Sequence, residues 1–163
     1  MNSKTFTFDR LPETADELRA LPEAALTDAY ATAALTVAAL CRYEASPDDC
    51  IAMLNVLKGP QELTVYEKQF LRDRLVGKSY VPLSYFAGTS PANDYTPSLP
   101  YTLTVHDDAY SEANEGYLRL DLHSSGADND RQITLRRKGD QWFLWEQFLL
   151  PDIRKPAKDD PWA

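Results

Sequence analysis

Residues 116–124 read GYLRLDLHS, and this alternation constrains the fold more than any other stretch. Successive side chains of a strand point to opposite sides. Leu118, Leu120 and Leu122 therefore share one face, and Tyr117, Arg119, Asp121 and His123 share the other. A strand with an all-leucine face needs a second apolar layer to cover it. The rest of the chain has to supply that layer.

Two flanking stretches extend the sheet. YTLTVHDD, residues 101–108, alternates in the same way. RQITLRRKGDQWFLWEQFLL reads as a hairpin turning at Gly139-Asp140. With those two residues as the loop, Leu135 lies opposite Leu144, Arg136 opposite Phe143 and Thr134 opposite Trp145. The last strand carries Trp142, Leu144, Phe148 and Leu150 on one face and Phe143, Trp145 and Leu149 on the other. Large apolar groups on both faces call for cover on both.

The first part of the chain is helical. In TADELRAL, Thr14 stands three residues before Glu17, the spacing of a capping box. An alanine- and leucine-rich helix is expected from Pro22 to about Tyr43, with Leu26, Tyr30, Ala33, Ala34, Val37, Leu40 and Cys41 at helical spacing. A third helix starts at Ser46, with Pro47 in its first turn and Asp48 and Asp49 near its positive end, and stops at Gly59-Pro60. A fourth runs from a Thr64/Glu67 capping box to Gly77.

These readings give an α+β fold in one domain. Three to four N-terminal helices, about residues 12–78, pack on a C-terminal four-stranded antiparallel meander, about 101–150. The element order is that of cone-shaped NTF2-like domains. The tail, 151–163, is proline-broken and polar up to Trp162, which reads either as a docked segment or as an unpinned end.

Between helices and meander lies YFAGTSPANDYTPSLPY, residues 85–101, with no period. Four large rings are of little use to a flexible linker, and Pro91, Pro97 and Pro100 restrict the path. The stretch is expected to be an ordered strap. Tyr85, Phe86, Tyr95 and Tyr101 would anchor it across the sheet near Phe143 and Trp145.

Bulk composition excludes several roles. The 163 residues are 44% hydrophobic and 26% charged, a globular balance, with a net charge of -8. The acidic excess is spread along the whole chain, so a phosphate backbone would be repelled and nucleic acid is not an expected partner. MNSKTFTFDR has no apolar core of a secretory signal, and ATAALTVAAL is too short to span a membrane. Cys41 and Cys50 then read as reduced thiols in a cytoplasmic protein. Two histidines are too few for a zinc site, and no metal or other cofactor is expected.

The candidate ligand surface is the non-leucine face of the sheet. Thr104, His106, Tyr117, Arg119, Asp121, His123, Arg136 and Trp145 should share it. If concave, such a face can hold a small molecule. Arg119 or Arg136 would clamp an anion, and His123 would act as base with Asp121 as its orienter. Those two residues stand about 7 Å apart on one strand and would have to lean together. The plainer alternative is a sheet face that meets water. A second candidate is the loop SSGADNDR, residues 124–131, where Asp128 and Arg131 would pair across a turn. It reads as an anion- or metal-gripping loop or as a simple strand connection. Nucleotide, hydrolase, zinc-protease and thiol-redox motifs are absent, and no residue is assigned a catalytic role.

Taken together, MLNVLKGP, YEKQFLRDRL, KSYVPLSYFAGTSPANDYTPSLPY, SSGADNDR with ITLRRKGDQWFLWEQFLL, and DPWA resemble a bacterial domain family of unknown function found mostly in Gram-positive gut anaerobes. The resemblance runs from about residue 10 to 163. It implies a bacterial protein with one domain and brings no activity, cofactor or site residue. The expected function is a non-enzymatic binding or interaction domain for a protein partner, such as the immunity half of a toxin pair. The alternative is a small-molecule pocket or enzyme on the polar sheet face. A homodimer through an open sheet edge is a third expectation.

Overall fold

One helix covers the leucine face. The computed structural model describes residues 2–163 and has five antiparallel strands: β1 (Ser3–Phe8), β2 (Tyr101–His106), β3 (Tyr117–Leu122), β4 (Arg131–Lys138) and β5 (Gln141–Gln147). They lie in sequence order in one sheet. The helices are α1 (Ala15–Arg19), α2 (Ala29–Leu40), α3 (Pro47–Lys58), α4 (Val65–Leu75) and α5 (Tyr80–Leu83). Helix α2 touches all five strands, so the sheet curves round it as a half-barrel. Every α2 residue but Tyr30 is buried. Alanine suits that position, because short side chains let both the strands and α3 approach closely.

The first strand corrects the expected plan of four strands preceded by helices. SKTFTF alternates too: Phe8 is buried and Phe6 packs on the core, while the Thr5 and Thr7 hydroxyls meet those of Thr104 and Thr102 at 2.9 and 3.5 Å. β1 pairs along the whole of β2, from Ser3 opposite His106 to Phe8 opposite Tyr101. With a strand in front of the helices, the comparison to a cone-shaped fold loses the element order on which it rested.

The helix expected over Pro22–Tyr43 is also divided. A short 3-10 turn, Pro22–Ala25, ends at Leu26 with φ 61°, and the Asp28 carboxylate then accepts the Tyr30 N–H to start α2. The break has a tertiary cause: the Leu26 carbonyl accepts the Trp142 N–H at 2.7 Å and so caps the start of edge strand β5. The other ends follow local chemistry. Ser46 caps α3, and the Thr64/Glu67 capping box of α4 closes in both directions. At α1 only the Thr14 half forms, because the Glu17 carboxylate pairs with Arg10.

The strap is ordered, but its destination differs from the expected one. Tyr85, Phe86 and Tyr95 are buried, and Phe86 meets Tyr101 edge to face. The Tyr85 hydroxyl donates to the Leu149 carbonyl and Tyr95 to that of Arg154. The strap therefore closes on the tail, away from Phe143 and Trp145. The tail is held as far as Lys158, which pairs with Asp94 at 3.0 Å, while Trp162 stands free. Among the described residues no helix is long and apolar enough to cross a membrane.

Candidate functional site

The polar face lies on the outside of the curve, since α2 fills the concave side. A concave polar pocket, one of the two readings of this face, is therefore not formed by the sheet itself. Instead the loop after β2, residues 107–116, folds over the outer face. Between this loop and strands β3–β5 lies a trough of about 750 Å³, lined by Tyr110, Asn114, Tyr117, Arg119, Gln132 and Trp145 among others.

The candidate residues fall into two groups on this face. At one end His106 stands opposite Asp121 across β2 and β3. Its Nε2 is 2.9 Å from Asp130, and Nδ1 of His123 is 3.4 Å from the other oxygen of that carboxylate. His123 and Asp121 do not meet, so the expected base and orienter are not a pair. Asp121 is joined instead to Asp108, which also accepts the Tyr110 N–H at 2.7 Å and lies 3.6 Å from Arg119. Burial, then the hydrogen bond and charge of Asp108, push Asp121 up to about 6. The same hydrogen bond, followed by the Tyr110 N–H, holds Asp108 below its ordinary value. Below about pH 6 the pair carries one proton, on Asp121.

Asp121 is 5% exposed, and an ordinary Asp titrates near 3.8. The folded state therefore binds this proton more tightly than the unfolded chain does. That advantage is full below pH 3.8 and is lost as pH rises through about 6. Asp121→Asn keeps a donor for Asp108 and removes the buried charge. It is expected to stabilise the fold by about 1–2 kcal/mol at pH 8 and to change little at pH 4, in urea unfolding at both values. Equal destabilisation at the two pH values would contradict the shared proton.

At the other end Arg136 lies over two rings, 4.6 Å from the centre of Trp145 and 5.4 Å from that of Tyr117. Tyr117 and Trp145 meet edge to face at 5.8 Å. A β-bulge lies at Trp145: Leu135 faces Leu144, but Thr134 faces Glu146 rather than Trp145, which puts Glu146 on the outer face as well. Bulges re-aim side chains in this way. Lys58 fixes the strand by donating to the Trp145 carbonyl at 3.2 Å while pairing with Glu67 at 3.0 Å. Trp145 is 37% exposed and borders three hollows, the trough and two of about 280 and 290 Å³.

The 280 Å³ hollow is cationic. Arg136, Arg137 and Lys138 border it with Phe143 and Trp145, and none of the three has an ion pair among the described residues. Gly59, at φ 68°, lets the Phe143 ring seat on the end of α3, where a Cβ would stand 2.3 Å from the ring. The 290 Å³ groove lies between β5 and α4 and is apolar, with Phe70, Leu71, Trp145 and Phe148 on its walls.

The second candidate loop has a structural task. Asp128 and Arg131 do not pair. Asp128 holds Arg154, and the Arg131 guanidinium donates to the carbonyls of Asn129, Pro151 and Asp152. Together they pin the tail. Among the described residues no group of three or more His, Cys, Asp or Glu is placed to hold a metal ion. Both cysteines are free. Burial pushes the Cys50 thiol up to about 12 and raises Cys41 as well, so neither is a ready nucleophile.

Sequence reasoning missed Asp108, Asp130, Gln132 and Lys58. The first two come from loops and the last from a helix end, which period-two reading of strands does not reach. Gln132 was readable, since it is two residues before Thr134 on a recognised strand. Comparison with curated proteins and with solved structures found no match. A family model covers residues 10–157, nearly the whole chain. The chain belongs to the family described as Domain of unknown function (DUF6935).

Proposed function

We propose that the domain is a non-enzymatic binding module that takes an acidic polypeptide segment on the surface around Trp145. One observation carries this reading: three consecutive cations, Arg136 to Lys138, are unpaired beside an exposed tryptophan in a chain of net charge -8. Unpaired cations concentrated in one hollow of an acidic protein favour a negative ligand. Tryptophan and arginine are the side chains most often dominant in binding energy. The apolar groove beyond Trp145 would take the rest of an extended segment. Free Cys41 and Cys50 fit a reducing, cytoplasmic setting.

The test is fluorescence anisotropy against arrays of acidic and basic peptides that contain aromatic residues. Acidic peptides should bind, more weakly as salt rises. Trp145→Ala and Arg136→Glu should each weaken binding by about 30-fold, equivalent to roughly 2 kcal/mol. Preference for basic peptides, for RNA, or for neither would overturn the reading.

A small molecule in the trough is the second reading, favoured by the Asp108–Asp121 pair beside Arg119. Fragment screening by NMR would then shift amides of Tyr110, Asn114 and Gln132. Shifts confined to the Trp145 hollows would exclude it.

A further inference from the structure

We infer that the acidic segment received by the cationic hollow is residues 159–162 of a second copy of this chain, an inference that rests on the binding reading above. The tail presents Asp159, Asp160 and Trp162 beyond the point where Lys158 is tied to Asp94. Trp162 is 93% exposed, the most exposed large apolar side chain of the described residues. Its backbone N–H donates to the Asp160 carboxylate at 2.9 Å, and the Ala163 N–H to the Asp160 carbonyl at 3.1 Å. This turn displays an indole next to a carboxylate. The hollow offers the complement, Arg136, Arg137 and Lys138 around Phe143 and Trp145. A turn already formed loses less freedom on docking.

With its anchors closed, the tail does not reach its own hollow. It is held beside Asp128 and Arg131, at the start of β4, whereas the hollow lies at Arg136–Lys138, the far end of that strand. Seven strand steps separate the two ends by roughly 23 Å. Lys158 is tied in turn to Asp94, whose neighbour Tyr95 donates to the Arg154 carbonyl at that same end, and the four residues beyond Lys158 reach about 14 Å at full extension. With those anchors closed the contact joins two copies, tail of one to hollow of the next. Such a contact is heterologous and builds a ring or a chain rather than a two-fold dimer.

Sedimentation velocity on the full protein across a wide concentration range tests this. Wild type should associate at low salt and dissociate at high salt. Trp162→Ala and Arg136→Glu should each stay monomeric with unchanged thermal unfolding. The decisive sample mixes those two variants. One keeps an intact hollow and the other an intact tail, so the mixture should form a one-to-one complex and nothing larger. A labelled peptide of residues 156–163 should bind wild type and lose about tenfold or more in affinity on Arg136→Glu. A monomeric wild type at every concentration, or a mixture that stays monomeric, overturns the inference. If unrelated acidic peptides still bind at Trp145 in that case, the binding reading survives and only the partner is wrong. If they also fail, both fall.

Discussion

Tyr95→Ala is expected to destabilise the fold by about 3–5 kcal/mol in urea unfolding. Tyr95 has no exposed surface although it sits in the middle of a proline-rich connection. Its ring stacks on Tyr80 at 5.4 Å and 25°, and its hydroxyl donates to the Arg154 carbonyl at 2.6 Å. Gly126 lies directly against it: a Cβ there would stand 2.3 Å from the Tyr95 hydroxyl oxygen. Alanine would empty this space and leave the Arg154 carbonyl without its donor. Tyr95→Phe separates the two effects, since it keeps the ring and removes the hydrogen bond. It should cost about 1–2 kcal/mol. Limited proteolysis gives an independent readout. Wild type should resist cleavage between Gly88 and Ser98, and Tyr95→Ala should be cut there. A loss under about 1 kcal/mol with unchanged cleavage would mean that the strap is not part of the cooperative fold.

The same residue shows where the sequence stops being informative. That the strap is ordered could be read from its rings and prolines, which are local. Where it docks could not. Tyr85 and Tyr95 end on the backbone carbonyls of Leu149 and Arg154, and every residue offers a carbonyl. No side-chain pattern names such a partner. Helix ends sort along the same line. Ser46 and Thr64 cap from within their own turn and were legible. The break at Leu26 was not, because it involves no glycine or proline. It depends on a hydrogen bond from Trp142, more than a hundred residues away. For β1 the alternation of SKTFTF was visible, but its partner β2 begins after all five helices and pattern alone does not announce it.

The candidate site divides similarly. Period-two reading placed His106, Tyr117, Arg119, Asp121 and Arg136 on one face, and cross-strand register confirms that Asp121 faces His106 and Tyr117 faces Arg136. It left open whether that face is concave or simply meets water, because curvature depends on what lies behind the leucines. Once a single buried helix fills the inner side, curvature is decided and the polar face turns outward. The bulge at Trp145 is a one-residue departure: Trp145 keeps the face that strict alternation gives it, and the residues after it change sides. A shift of one residue inverts every side chain of a strand beyond it. The exposed Phe148 next to buried Leu149 reflects this, against a reading that put Phe148 with the inward Leu144.

Helix α2 is where substitution should be least tolerated in either direction. Leu35→Ala is expected to cost about 2–5 kcal/mol, because Leu35 is fully buried and strands on several sides leave little room to collapse around the cavity. Ala34→Leu, one position earlier and equally buried, should cost about 1–3 kcal/mol by overpacking. On an amphipathic helix only one face would behave in this way. Here a scan along Ala33, Ala34, Leu35, Val37, Ala38 and Ala39 should show large losses without a helical period, since all six are fully buried. Tyr66→Ala on α4, an exposed position, serves as the control and should stay within about 0.5 kcal/mol. Losses in α2 that recur every third or fourth residue would show that one side of the helix is not packed, against its burial between the sheet and α3. If the unpacked side were the one toward the strands, the outward placement of the polar face, with the trough and hollows built on it, would have to be abandoned.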